Sequence, residues 1–228
     1  MQSALNDFKG DLARITGVAD WLDTPDALDP KLSASTTAIR CGSVVLLSGY
    51  LETFLHDCLR AFIRDVNNLS KPIEKLPEKM HFVHFEKGAR FLIGVAAAER
   101  REAVVPVKSI DLATRLSSTK LNVGYELAWE AFTRTQANPG PDVVKEMLKD
   151  VAIEDPWERL RLAASANAGD LQLSLTSLIA MRNECAHSGS TQSPPTASDL
   201  RQHCQNLEVL GLAIVTVLEA QRALFSAL

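Results

Sequence analysis

The feature that most constrains the fold is a long helical periodicity in the first third of the chain. Apolar residues recur at intervals of three and four between Leu32 and Asn67, and Gly42 and Gly49 are the only glycine or proline residues among them. The series is Ile39, Val44, Leu47, Leu51, Phe54, Leu55, Cys58, Phe62 and Val66. Because this spacing brings apolar side chains to one face of a helix, the sequence predicts a long buried helix.

The rest of the chain shows the same helical spacing, and no stretch alternates as a strand does. Further helices are predicted at Ser3–Leu22, at Pro77–Glu102, from Pro141, from Pro156, from Asp170 to about residue 188, and from Ser198 or Asp199 to the C-terminus. Asp155, Asp170 and either Ser198 or Asp199 are expected to cap the helices that follow them. Residues 1–30 are predicted to form an N-terminal helix and a linker. We expect a single all-α domain over residues 1–228.

Residues 104–140 are the least regular part of the sequence. Val104–Val107 is predicted to be a short extended joint, and Asn122-Val-Gly124 interrupts a helical pattern that resumes through Trp129 and Phe132. We therefore expect an inserted or variable segment here.

The composition limits the class of protein. Of 228 residues, 46% are hydrophobic and 23% are charged, which suits a protein with an ordinary apolar core. A net charge of −4 argues against a general nucleic-acid coat protein, which usually carries a basic face, although an enzyme with a local basic groove remains open.

The sequence also predicts a cytoplasmic protein without a membrane anchor. Its four cysteines lie in apolar helical patterns without a Cys-x-x-Cys spacing, as expected for buried thiols in a reducing compartment. Charged residues at positions 7, 9, 11 and 14 occupy the place where a signal peptide would need an apolar run. The longest apolar run, Val209–Leu218, is too short to span a bilayer.

Residues 178–189, Leu-Ile-Ala-Met-Arg-Asn-Glu-Cys-Ala-His-Ser-Gly, are predicted to form the last turns of a helix that a Ser-Gly pair ends. Asn183 and His187 are about 40° apart around this helix and share a face, whereas Arg182 and His187 are about 140° apart and do not. Arg182 could still reach a His187 at the frayed helix end, or the two could meet their equivalents across a two-fold axis. The alternative is that Arg182 is a solvated surface residue and His187 a helix cap.

Arg182-Asn183-x-x-x-His187 resembles the Arg-x4-His motif, often with Asn in second place, of the HEPN superfamily of helical ribonucleases. Ile39–Leu55 is similar to the long early helix of the RiboL-PSP branch of that superfamily, with its Leu-Glu-x-Phe-Leu core. Residues 138–157, which contain Asn-Pro-x-Pro and Glu-Asp-Pro-Trp, have a spacing similar to the same branch. In all, the resemblance covers about residue 32 to the C-terminus.

The resemblance implies an antiparallel helical bundle with an active site at the interface of a homodimer. It makes Arg182 and His187 catalytic, Asn183 an orienting neighbour, and Glu52 a polar residue of the facing helix. The implied activity is a metal-independent endoribonuclease with a toxin-like or antiviral role. An antitoxin or another defence protein is an expected partner, and no cofactor is expected.

The chemistry of these residue types agrees with that activity. RNA carries its own nucleophile, the 2′-OH, so a ribonuclease needs only a base near neutral pH and a cation for the phosphorane. His187 suits the first task and the planar guanidinium of Arg182 the second. A symmetric dimer supplies two histidines, one as base and one as acid.

Other interpretations have less support. His81-x-x-His84 lacks a third metal ligand at suitable spacing, so no metal site is predicted. Cys185 lies inside the motif, but it has no separate base to orient it and is interpreted as a packing residue. Arg100, Arg101 and Lys108 could touch phosphates, yet a solvated charged joint is favoured. A non-catalytic helical RNA-binding or scaffold module is the second hypothesis, which the acidic net charge favours.

Overall fold

The computed structural model describes residues 1–71, 73–118, 126–133, 138–165, 170–188 and 193–227, and the side chains of 73, 187 and 188 fall outside this description. These residues form nine α-helices and no β-strand, which confirms the predicted all-α fold. The helices are α1 (Gln2–Leu22), α2 (Ser33–Asn68), α3 (Glu78–Arg101), α4 (Val107–Ser118), α5 (Glu130–Thr133), α6 (Pro141–Asp150), α7 (Pro156–Ala163), α8 (Leu171–Ser188) and α9 (Ala197–Ala227).

The long helices α1, α2, α8 and α9 form the centre of the fold. In the first half of α1 the ring of Phe8 stacks on Phe54 of α2, with 4.6 Å between the ring centroids. The same ring lies against Gly211 of α9, where an added Cβ would come within 3.2 Å of it, so glycine permits the close approach of α1 and α9. Further along, Phe62 of α2 contacts Phe225 of α9. Helices α2 and α9 therefore run in the same direction.

Helix α1 runs against this pair. Lys9 forms an ion pair with Glu208 at 2.9 Å, and Asp20 forms one with Arg201 at 2.9 Å, so later residues of α1 meet earlier residues of α9. The Arg201 guanidinium also binds Asp23 at 2.7 Å. These contacts fasten the end of α1 to the beginning of α9, and the arrangement is that of an antiparallel bundle.

Helices α3, α4 and α5 pack near the C-terminal end of α2. The side-chain amide of Asn67, near the end of α2, donates to the carbonyl of Leu127 at 3.1 Å and accepts from the N–H of Leu127 at 3.0 Å. Arg115 of α4 forms two hydrogen bonds, of 3.0 and 2.7 Å, with the Glu130 carboxylate. The hairpin of α3 and α4 has its own small apolar cluster, made of Leu112, Leu116 and Ala128 with Phe91 and Leu92 packed on it.

The prediction of an extended joint at Val104–Val107 is corrected in one respect, because Val107 already begins α4. The Glu99 carboxylate accepts from the backbone N–H groups of Lys108 and Ser109, at 2.8 and 3.3 Å, and so caps the new helix. The predicted interruption at residues 122–124 lies outside the described residues.

Two of the three predicted helix caps need correction. Asp170 accepts from the N–H of Leu173 at 3.0 Å, so its predicted role is confirmed. For α9 the cap is Thr196, whose hydroxyl accepts from the N–H of Asp199 at 3.1 Å while the Asp199 carboxylate reaches back to the N–H of Thr196 at 2.8 Å. Asp155 precedes α7 as predicted, but with a φ of 43° its side chain makes no capping hydrogen bond.

The stretch Pro30–Asn68 and the helix Ala197–Ala227 are long and apolar enough to cross a membrane, judged by length and composition alone. Core helices of soluble proteins pass the same test, and both helices here contribute to the main apolar core.

Candidate functional site

The predicted motif lies in the last two turns of α8, as the sequence indicated. Arg182 and Asn183 are both half-buried there. The backbone of His187 belongs to the same helix, but its side chain is outside the described part of the structure, so its distance from Arg182 is not assigned. The catalytic roles of Arg182 and His187 stay predictions.

The amide of Asn183 connects Arg182 to a neighbouring segment. Its Oδ1 atom accepts from Nη1 of Arg182 at 3.3 Å and from Nδ2 of Asn138 at 3.2 Å. The Asn138-Pro-Gly-Pro segment also approaches α8 at Gly140, whose added Cβ would lie 4.0 Å from Ile179. The side chains of Asn138 and Arg182 donate to the same oxygen atom. Asn183 therefore orients the Arg182 guanidinium.

Asn138 is a site residue that the sequence analysis missed. Its segment was singled out for its prolines and as part of the resemblance, not for a polar contact. The available signal was an Asn placed before a Pro-Gly-Pro turn, which is more often read as loop chemistry. Only the packing of α6 on α8 reveals that its side chain meets the motif.

Two cysteines, one on each helix, mark where α2 packs against the motif helix α8. Cys41 and Cys185 are both buried, and their thiols are neighbours across the two helices. Burial, followed by the interaction with Cys41, raises the pKa of the Cys185 thiol to about 12. A thiol of that pKa is protonated at neutral pH and is a poor nucleophile, which supports the interpretation of Cys185 as a packing residue.

Glu52 lies further along α2 than the residues that face α8. Cys41 marks the level of α2 that meets Cys185, and Glu52 is eleven residues beyond it, about 16 Å along the helix axis. Glu52 is exposed. Its supporting role stays a prediction.

Arg40, which the sequence analysis did not select as a site residue, precedes Cys41 on α2. It is half-buried, and its Nε atom is buried without an acceptor among the described residues. The Nε atom of Arg182 is in the same state. Buried cationic nitrogens normally have an acceptor, so both arginines are candidates for binding an anion.

His84, from the rejected metal pair, has a structural role instead. Its Nδ1 atom accepts from the N–H of Ala128 at 3.1 Å. Burial, with a smaller contribution from the nearby Arg115, lowers the pKa of His84 to about 4. The ring is therefore neutral at physiological pH and ties α3 to the segment that precedes α5.

Comparison with known proteins gives one family. No curated protein and no solved structure matches the chain. The model of the RiboL-PSP-HEPN family matches residues 29–220, which include α2 and the whole motif. HEPN domains are in general ribonucleases or nuclease-like proteins. The match covers most of the chain, and it agrees with the helical bundle and with the position of Arg182-Asn183-x-x-x-His187 near the end of α8: this protein belongs to the RiboL-PSP-HEPN family.

Proposed function

We propose that the protein is a metal-independent endoribonuclease that cleaves RNA through the 2′-OH of the RNA itself. The observation that carries this proposal is the state of Arg182. Its half-buried guanidinium is held by Asn183 at the end of the motif helix, and its buried Nε atom has no acceptor in the described part of the chain. A guanidinium oriented in this way is suited to bind a phosphate through two parallel hydrogen bonds.

The proposed reaction transfers two protons, one from the 2′-OH and one to the leaving 5′-oxygen. His187 takes the proton of the 2′-OH, and the 2′-oxygen attacks the adjacent phosphorus while Arg182 stabilises the negative phosphorane. The bond to the 5′-oxygen then breaks, and that oxygen takes a proton from an acid. His187 of the partner subunit is the proposed acid. The products are a 2′,3′-cyclic phosphate and a fragment with a 5′-OH.

A stripe on the exposed face of α2 supports the homodimer. Ile39, Gly42, Leu46 and Gly49 follow one another at intervals of three and four, so they share a face. Ile39 is 37% exposed and Leu46 is 49% exposed, and nothing lies within 4 Å of a Cβ added to either glycine. An antiparallel α2–α2 contact about a two-fold axis near Leu46 would bring Gly42 opposite Gly49 of the partner subunit and bury both apolar residues.

Ser43 and Ser48 are the other small residues beside these two glycines. Both serines are buried within the chain, at 3% exposure each, and the Ser43 hydroxyl donates to the Ile39 carbonyl at 2.8 Å. They therefore serve packing inside the protomer. Of these four small residues of α2, only Gly42 and Gly49 face open space, and they belong to the proposed dimer surface.

The proposed biological role is a toxin-like or antiviral one in the cytoplasm, with an antitoxin or another defence protein as partner. The family resemblance supports the role. The four buried free cysteines agree with a reducing compartment.

Cleavage of a labelled RNA in the presence of EDTA tests the activity. We expect Arg182→Ala and His187→Ala to lower the rate about a hundredfold or more, because each removes a group that acts in the transition state. Arg90→Ala is the matched control, since Arg90 is exposed and bound only to Glu86 at 2.5 Å among the described residues. Thermal melts should show all three variants folded.

The chemistry of the products separates the two hypotheses. A cyclic phosphate end, and resistance of an RNA with a 2′-deoxy residue at the scissile position, support the proposed mechanism. Cleavage that requires Mg²⁺ and leaves 5′-phosphate ends contradicts it. RNA binding without any cleavage, in wild type and variants alike, supports the non-catalytic module instead.

A further inference from the structure

The buried nitrogens at the motif end of the bundle point to a second functional arginine. Among the described residues three buried side-chain nitrogens lack an acceptor, and two of them are the Nε atoms of Arg40 and Arg182. Hydrogen bonding of a buried cation is worth more than that of a neutral group, and so is its loss. Two such guanidiniums on neighbouring helices therefore need a common explanation.

The packing of α2 against α8 places these arginines at similar heights in the bundle. The side chain of Asn206, well along α9, donates to the hydroxyl of Ser174, near the start of α8, at 2.6 Å. Helix α8 therefore runs antiparallel to α9, and also to α2. Cys41 meets Cys185 across the antiparallel pair. Arg40 is thus level with residue 186, about one helical turn, or roughly 6 Å along the axis, from Arg182.

Both arginines also belong to the buried faces of their helices. Arg40 shares its face with Val44 and Leu47, which are completely buried. Arg182 shares its face with Leu178, which is 1% exposed. The two side chains accordingly extend from the core-facing sides of α2 and α8 where the bundle ends, which explains why each is only half exposed.

None of the ion pairs among the described residues includes Arg40 or Arg182. Three acidic groups at the same end of the bundle are already engaged: Asp20 and Asp23 bind Arg201, and Asp199 binds the backbone and hydroxyl of Thr196. An anion that contacts both guanidinium groups would supply the missing acceptors.

We propose that Arg40 and Arg182 form one binding site for phosphodiester groups of single-stranded RNA, with Arg40 as a phosphate-binding residue in addition to the motif. This inference rests on the proposed function, because the ligand is the substrate of that reaction. Arg182 holds the scissile phosphate, and Arg40, one turn away, holds the same or the adjacent phosphate of the strand. Arg40 thereby fixes the strand without taking part in proton transfer.

Binding of a fluorescein-labelled single-stranded RNA with 2′-O-methyl groups at every residue tests the site. This probe cannot be cleaved through its 2′-oxygen, so fluorescence anisotropy measures affinity separately from activity. We expect Arg40→Gln to weaken binding at least fivefold and to reduce the slope of log K against log salt by about 0.7, the value for one phosphate contact on a single strand. Arg40→Lys should keep most of the slope but bind less tightly, since lysine lacks the planar fork.

Arg90→Gln is the matched control, because it removes the same charge from an exposed arginine and should leave affinity and slope unchanged. The inference is overturned if Arg40→Gln binds like Arg90→Gln. Should Arg40→Gln not fold, Arg40→Lys decides, and unchanged affinity in that folded variant overturns the inference. If Arg40→Gln weakens RNA binding as expected but the wild type does not cleave ordinary RNA, the phosphate site is supported and the proposed function is contradicted. If the wild type cleaves RNA but Arg40→Gln binds it normally, the proposed function is supported and the phosphate site is contradicted.

Discussion

Enlarging the exposed glycines of α2 should stabilise the protomer and break the dimer at the same time. Gly42 and Gly49 lie inside a helix of 36 residues, and an added Cβ at either position meets nothing within 4 Å. The double variant Gly42→Leu and Gly49→Leu therefore creates no clash within one chain. Across the proposed two-fold axis, however, the leucine side chains of both protomers would occupy the space through which the helices approach each other.

The expected magnitudes have opposite signs. Each substitution replaces glycine, which has a low helix propensity, with leucine, which has a high one, and so gains about 0.8 kcal/mol. The pair should therefore stabilise the isolated protomer by about 1.6 kcal/mol. For a chain of this length that raises the Tm of the monomer by about 3–6 °C. At the interface, overpacking costs about 1–3 kcal/mol per contact and each contact occurs twice, so the Kd of the dimer should rise at least about thirtyfold.

Light scattering and sedimentation over a range of concentrations measure the assembly, and calorimetric melts measure the stability. The matched control is Gly10→Leu with Gly17→Leu in α1, because both glycines are exposed, lie inside a helix, are seven residues apart and leave an added Cβ free. This control should gain the same stability and remain dimeric. The Tm of wild type and control should rise with protein concentration, whereas that of the α2 variant should not.

Two results would refute the reasoning. A wild-type protein that stays monomeric at micromolar concentration removes the dimer altogether. A dimer that survives in the α2 double variant, with the α1 control behaving alike, means that the stripe of Ile39, Gly42, Leu46 and Gly49 is not the interface.

Three further predictions concern stability and products. The folded pKa of His84, about 4, lies below the unfolded value of 6.5, so its contribution to stability is complete above pH 6.5 and is lost as the pH falls toward 4. Between pH 7 and pH 5 the wild type should lose about 2 kcal/mol more, by urea titration, than His84→Asn, which can still accept from Ala128 but does not titrate. Arg115→Met should cost about 3–5 kcal/mol by the same titration, because it leaves the Glu130 carboxylate, whose side chain is only 12% exposed, without its bidentate partner, and a cost below 1 kcal/mol would contradict this. RNA cleavage should show a bell-shaped pH profile if two imidazoles act as base and acid, whereas a rate that only rises with pH would exclude the acid.

The sequence predicted the fold well where a single pattern dominates. The long spacing from Leu32 to Asn67 became α2 almost residue for residue, and Asp170 caps α8 as its position before an apolar run suggested. Such signals are local, since they depend on helical periodicity and on side chains within three residues of a backbone N–H.

The errors arise where the burial or the contacts of a residue depend on which other helix packs against it. Ile39 fits the apolar face of α2 by spacing, yet it is 37% exposed. Arg40 was passed over for a similar reason. Nothing in its neighbouring residues reveals that α8 crosses beside it, and only the register set by Cys41 and Cys185 does so.

The hairpin of α3 and α4 gives the molecule a gradient of local stability. Its outer half is held by the five residues of its own apolar cluster, by the Glu99 cap and by the Arg115–Glu130 ion pair, while Arg40 lies near the opposite end of α2 from the Asn67 clamp. That separation is about 40 Å along the helix. The outer hairpin can therefore unfold as a unit while α2, α8 and α9 stay closed, and its amides should exchange with solvent long before those of the bundle. Sequence can change or be inserted there at little cost to the proposed site at the other end.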